Sequence, residues 1–168
     1  LATVDYTLAK RALLGEVGHG LRSWSDICDA HPELMRAAKH VGTAFVEIYQ
    51  NCNIFNDGAF DYATDKNTKA DTTLYLEHGK PLVFGGGKKG VRLHDMNPEV
   101  VDVTEGNKDD LLIHDEKAKE PSLAFLLSRM RYPDFPEPLG VFRDVEQERY
   151  VGIVRRQIEQ AKQQRGEG

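Results

Sequence analysis

The chain has 168 residues, 40% of them hydrophobic and 29% charged, with a formal net charge of −5. That length suits one domain with a real core, or one domain with an appendage, and a mean hydropathy of −0.52 without any long apolar run speaks against a membrane span. Lys and Arg lie scattered among acids, with no basic stripe to hold a phosphate backbone, so nucleic acid is not an expected partner.

No signal-peptide pattern occupies residues 1–17, and Cys28 and Cys52 are the two cysteines, so a reducing cytoplasm and two free thiols are expected. The chain opens at Leu1 with neither leader nor tag, as expected of a piece cut from something longer. Within residues 4–17, Leu8, Leu13, Leu14 and Val17 have the spacing of an amphipathic helix, closed by Gly18 and Gly20. Pro32 opens a second helix running to about His40, with Leu34, Ala37, Ala38 and Val41 on one side and Gly42 at its end. Residues 43–49 are apolar or β-branched except for Glu47, and read as a buried strand. Helix, glycine, buried strand is the rhythm of an α/β sheet. The strand breaks into a polar loop holding Gln50, Asn51, Cys52, Asn53, Asn56 and Asp57, in the position where α/β proteins keep their chemistry.

Thr68–His78 predicts a short helix stopped by Gly79. From Pro81 the texture changes to short apolar runs at 82–84, 90–93, 100–103 and 111–114, separated by Gly, Asn and Asp clusters, which predict a small antiparallel sheet. Ser122–Arg131 predicts a helix opened near Pro121. Pro133, Pro136 and Pro138 fix an extended segment, and a last helix is expected from about Asp144 to Gln164, its polar end fraying into solvent. No internal repeat is present.

Cys52 invites three readings from its surroundings alone: a nucleophile, a metal ligand, or a small side chain packed inside. A nucleophile needs a base, for which His78 would have to approach in space. A metal site needs several ligands, and two cysteines without a CxxC cannot build an iron–sulfur cubane alone. Gly85-Gly86-Gly87-Lys88-Lys89-Gly90 satisfies GxGxxG literally, yet Val91-Arg92-Leu93-His94 follows where a dinucleotide site needs a helix to begin. A hairpin turn with two lysines at its tip is expected instead. The pairs His94-Asp95 and His114-Asp115, with Glu116, contain atoms for a metal hydrolase, but at strand ends Asp more often turns the chain. The charged end of the last helix reads as a solvated face or a subunit contact.

The strand and loop from Thr43 to Phe60 resemble the C-terminal part of the β subunit of 2-oxoacid:ferredoxin oxidoreductases. Further islands in the same order carry the resemblance across about residues 42–153. They are Thr64-Asp65-Lys66 with Thr68-Lys69-Ala70-Asp71, the run from Leu76-Glu77-His78-Gly79-Lys80-Pro81 to Gly85, and Gly90-Val91-Arg92-Leu93. Leu112-Ile113-His114-Asp115-Glu116, Ala124-Phe125-Leu126-Leu127-Ser128-Arg129, and Phe135-Pro136 with Pro138 to Arg143 complete the set. The resemblance implies an α/β fold class: the C-terminal piece of a thiamine-diphosphate-binding fold, followed by a small antiparallel sheet and C-terminal helices. It implies that Cys52 is one ligand of a [4Fe–4S] cluster, the other ligands coming from upstream cysteine motifs that this chain lacks. The Gly-Asp-Gly-Asp…Asn signature for Mg²⁺ and thiamine diphosphate is also missing. The chain is therefore expected to supply at most one cluster ligand and to be inactive alone, with an α subunit as partner and ferredoxin and coenzyme A engaged through the complex.

Residues 1–41 differ. Asp5-Tyr6, Arg11 to Val17, Cys28-Asp29-Ala30-His31-Pro32-Glu33-Leu34 and Arg36-Ala37-Ala38-Lys39 resemble the start of a small uncharacterised actinobacterial family. Two segments are thus expected, a helical one over 1–41 and the oxidoreductase-like one over 42–168, meeting near Ala38–Gly42 by gene fusion, recombination or an assembly artefact. The alternative function is a non-catalytic soluble interaction module, or a chimeric fragment, without cofactor. A third, a cysteine hydrolase using Cys52 and His78, predicts rapid alkylation of the thiol.

Overall fold

The computed structural model describes residues 2–5, as backbone, together with 32–47, 49 and 51–165. It is a mixed α/β structure built from small sheets. Strand β1 (Ala2–Asp5) lies parallel to β2 (Ala44–Glu47). Strand β3 (Thr73–Leu76) lies parallel to β7 (Glu137–Gly140). Strands β4 (Val83–Phe84), β5 (Lys89–His94) and β6 (Asn97–Asp102) form an antiparallel sheet in that order. The helices are α1 (Pro32–Lys39), the single turns α2 (Asp61–Thr64) and α3 (Lys69–Thr72), then α4 (Ser122–Arg129) and α5 (Tyr150–Arg165).

The main core gathers Leu74 of β3, Leu82, Phe84 of β4, Val91 of β5, Leu127 and Met130 around α4, and Phe142. Leu74, Val91 and Leu127 are completely buried, each stabilising the fold by about 1.5–3 kcal/mol relative to exposure. A second, smaller cluster joins the beginning of the chain to its tail: Val141 packs against Leu34 and Ala37 of α1 and Val46 of β2.

The antiparallel sheet expected after Pro81 is present, and the glycine run forms the β4–β5 hairpin turn. Gly85, Gly86 and Gly87 take φ of +63°, +64° and +87°, a left-handed region that L side chains resist, and a strand rather than a helix follows. The 111–114 segment joins this sheet only through isolated bridges, Pro81 to Ile113 and Arg92 to Leu111, rather than as a regular strand. Its ends are held by Leu112 N–H donating to the Val91 carbonyl and His114 N–H to the Lys80 carbonyl, at 2.9 and 2.8 Å.

Four expectations need correction. Val4 and Asp5, placed by the sequence in a helix over 4–17, belong to β1, and the remainder of that range lies outside the described residues. The strand within 43–49 exists as Ala44–Glu47, but it is not buried: Phe45 is 48% exposed. Successive residues point to opposite faces, so the covering of Val46 by α1 and Val141 does not extend to Phe45. The helix expected over Thr68–His78 stops at Thr72. Thr72 Oγ1 bonds the Tyr62 carbonyl at 2.5 Å and Thr73 Oγ1 the Lys69 carbonyl at 2.6 Å, and Thr73 onward pairs with β7, so ladder bonds replace helical ones. The last helix begins at Tyr150 and not near Asp144, because the backbone N–H groups of Asp144 and Gln147 are engaged by the carbonyls of Glu116 and Val41 at 2.6 and 2.9 Å.

Candidate functional site

Cys52 sits at the head of a tight loop between β2 and α2. The loop closes on itself through a bridge between Cys52 and Asn56, whose N–H donates to the Cys52 carbonyl at 2.8 Å. Asn51 organises it from within. Its Nδ2 donates to Asn53 Oδ1 at 2.8 Å and Asp57 Oδ1 at 2.9 Å, while its Oδ1 accepts the Gly58 N–H at 2.9 Å. The density of Asn and Asp in this stretch is therefore turn chemistry: short amide and carboxylate side chains bonding neighbouring backbone and each other. Gly58 takes φ +73°, which completes the turn.

This winding aims successive backbone N–H groups at the sulfur. Bonds from Phe55, then Ile54 and Asn56, hold the Cys52 thiol below its ordinary pKa, against the opposing effects of desolvation and of the Asp57 charge. Cys52 is a free cysteine of intermediate exposure, and Ile54 and Phe55 at the loop tip are 83% and 88% exposed. The arrangement favours a thiolate presented near the surface, which is what a metal ligand or an alkylatable thiol requires. Cys28 and Gln50 lie outside the described residues.

Other sequence candidates are occupied elsewhere. His78 Nδ1 lies 3.5 Å from Asp115 Oδ1, both half exposed. His114 turns into the core at 1% exposure, where Nε2–H donates to the Val141 carbonyl at 2.8 Å. Its unprotonated Nδ1 is then a buried acceptor without a partner among the described residues. His94 and Asp95 stand 4.0 Å apart on the exposed β5–β6 turn. Glu116 accepts two bonds from the Arg36 guanidinium, at 3.2 and 2.7 Å. Among the described residues no three His, Cys, Asp or Glu side chains come together as a metal site, and no helix is long and apolar enough to cross a membrane.

Sequence reasoning missed a cavity of about 450 Å³ beside the Cys52 loop, whose wall includes Asn56. Among its lining residues is Glu137, only 6% exposed, accepting hydrogen bonds from Tyr49 and Tyr62. These partners lie 88 and 75 residues apart in sequence, so no local spacing could signal them.

Comparison with known proteins gives matches of two kinds. A family of unknown function (DUF5318) matches residues 1–59, a range that runs through the Cys52 loop and past the boundary expected at residue 41. The 2-oxoglutarate oxidoreductase subunit KorB of Mycobacterium tuberculosis is 36% identical over 127 residues, which cover 74% of this chain and 34% of KorB. Uncharacterized proteins of Mycobacterium bovis and Mycobacterium tuberculosis are 54% identical over 39 residues, covering 23% of this chain and 28% of each relative. The chain thus spans about a third of the length of KorB. No solved structure matches it.

Proposed function

We propose that this chain is part of the β subunit of a 2-oxoacid:ferredoxin oxidoreductase, and that Cys52 is one ligand of its [4Fe–4S] cluster. The observation that carries this reading is the similarity to the 2-oxoglutarate oxidoreductase subunit over 74% of the chain. The loop's geometry supports the ligand assignment, because N–H groups directed at the sulfur stabilise the thiolate that coordinates iron. The fit is to a single ligand position. A cubane takes four ligands, and among the described residues no group of three or more His, Cys, Asp or Glu side chains gathers as a metal site. On this reading the remaining ligands, and the anchors for Mg²⁺ and thiamine diphosphate, come from polypeptide outside this chain, and the chain alone is inactive.

On this reading the chain holds the C-terminal piece of a thiamine-diphosphate-binding fold, followed by the small antiparallel sheet and the C-terminal helices. Its partner is an α subunit, and CoA-dependent oxidative decarboxylation of 2-oxoglutarate with ferredoxin as acceptor is work for the assembled complex. Asn51 and Asn53 shape the loop through bonds to each other and to Asp57 and Gly58, and so position the cysteine. The test is anaerobic assembly of this chain with a cofactor-bearing β-subunit portion and the α subunit. The complex is expected to be brown and to reduce ferredoxin, and Cys52→Ser to remove both properties. An unchanged visible spectrum in that variant would refute the ligand assignment.

A second reading, a non-catalytic interaction module, rests on the match of residues 1–59, Cys52 included, to a family of unknown function. It predicts a complex that stays colourless after reconstitution with iron and sulfide.

A further inference from the structure

The cavity beside the Cys52 loop is framed by two aromatic stacks. Tyr49 and Phe60 stack with ring centroids 4.8 Å apart and planes 11° from parallel, and Tyr62 and Tyr132 with centroids 4.5 Å apart and planes 10° from parallel. One carboxylate ties the stacks together: Glu137 Oε1 accepts from the Tyr49 hydroxyl and Oε2 from the Tyr62 hydroxyl, the latter at 3.0 Å. Glu137 belongs to β7, whose pairing with β3 fixes its position, so the frame is anchored in the sheet.

The charge of Glu137 is the unusual element. It is 6% exposed, and among the described residues no cation pairs with it. Buried carboxylates ordinarily have a cationic partner, because phenol donors recover only part of the lost hydration. Each carboxylate oxygen can accept a second hydrogen bond, so Glu137 retains acceptor capacity. Aromatic faces attract cations through their quadrupoles, and Glu47 adds a second negative charge to the cavity wall. On the α4 side, Arg131 and Ser128 line the same cavity, the Ser128 hydroxyl donating to the Phe125 carbonyl at 2.7 Å. That side disfavours a second positive charge and suits an anionic group. A volume of about 450 Å³ lies in the range of small-molecule sites.

We infer that this cavity binds a small zwitterion, an organic ammonium held by Glu137 and the aromatic stacks with its carboxylate directed to Arg131. The inference does not rest on the cluster assignment, and its test needs no cofactor. The purified chain is titrated calorimetrically with three probes: glycine betaine, choline and 3,3-dimethylbutanoate, the last being the neutral-carbon isostere of betaine. Betaine is expected to bind at least about tenfold more tightly than the isostere, since only the quaternary nitrogen recruits the carboxylate and the rings. Choline, lacking the carboxylate, is expected to fall between them. Arg131→Gln should bring betaine and choline to equal affinity, and Glu137→Gln should abolish the preference for betaine over its isostere. If Glu137→Gln does not fold, the betaine and isostere titrations on the unaltered chain still decide the matter. Equal binding of betaine and isostere, or no binding of betaine by the folded chain, would overturn the inference.

Discussion

Replacing Asp144 by Ala should loosen the hold of α1 on the tail. Asp144 Oδ2 accepts bonds from Arg36 Nη2 at 2.7 Å and Lys117 Nζ at 2.8 Å, and its Oδ1 faces His40 Nδ1 at 2.9 Å. The Arg36 and Lys117 side chains remain 42% and 54% exposed, so each of those bonds contributes only about 0.2–1 kcal/mol. The His40 side chain is 3% exposed, and leaving its ring nitrogen without a partner costs about 1–3 kcal/mol. The expected destabilisation is therefore about 1.5–5 kcal/mol at neutral pH, measured by urea unfolding, with faster hydrogen exchange along Pro32–Lys39. The dependence on pH has a definite sign. Lys117, with Arg36 and His40, holds the Asp144 carboxyl well below the usual carboxylate range, against the opposing effect of burial. A depressed folded pKa contributes stability that is fully present above the unfolded value of about 4 and is lost as pH falls from there through the folded value. The gap between wild type and Asp144→Ala should thus be constant through mildly acidic pH and narrow below about pH 4. A cost under about 0.5 kcal/mol at neutral pH, or a gap that widens on acidification, would refute the reasoning.

Alkylation of Cys52 by iodoacetamide should have its midpoint below that of an ordinary free thiol, because the N–H groups of Phe55, Ile54 and Asn56 favour the thiolate. Mass-spectrometric mapping of the labelled peptide across a pH series checks this, and a midpoint at or above that of a cysteine in a short peptide counts against the loop geometry. His114 gives the second pH signature. Burial, only partly offset by the bond to the Val141 carbonyl, pushes its imidazole pKa down. The unfolded chain then binds the proton more readily, so the His114 contribution is full above about pH 6.5 and is lost as pH falls from there through the folded value. Comparing urea midpoints with those of His114→Gln should show that slope in wild type and a flatter profile in the variant.

What was legible in the sequence was what local patterning controls. Pro32 and the apolar positions after it specify α1, and Ser122 onward specifies α4 almost to the residue. The glycine triplet before Lys88 makes a hairpin because its backbone needs positive φ three times running, while the β-branched and apolar residues after it continue as a strand. Illegible were features decided by partners distant in sequence. Ala70 and Leu74 have helical spacing, but β7 supplies the ladder that makes Thr73–Leu76 a strand. The residues before Tyr150 have helical composition, yet bonds to Glu116 and Val41 hold them extended. For the same reason the Glu137 cavity was invisible, as Pro-Glu-Pro in an extended segment carries no sign of two tyrosines arriving from the other end of the chain.

The contacts of α1 bear on how the two segments relate. The expected boundary at residue 41 falls between α1 and β2, but structurally these elements act together. Leu34 and Ala37 from one side of the boundary and Val46 from the other cover the same residue, Val141. Arg36 bridges Glu116 and Asp144, and the Val41 carbonyl accepts the Gln147 N–H at 2.9 Å. The match of residues 1–59 to a family of unknown function crosses this boundary as well, and takes in Cys52. The loop that presents the cysteine follows a strand whose covered face depends on α1 and on the tail together. The position of Cys52 thus depends on α1 and the tail together. Helix α1 is therefore part of the support for the candidate ligand.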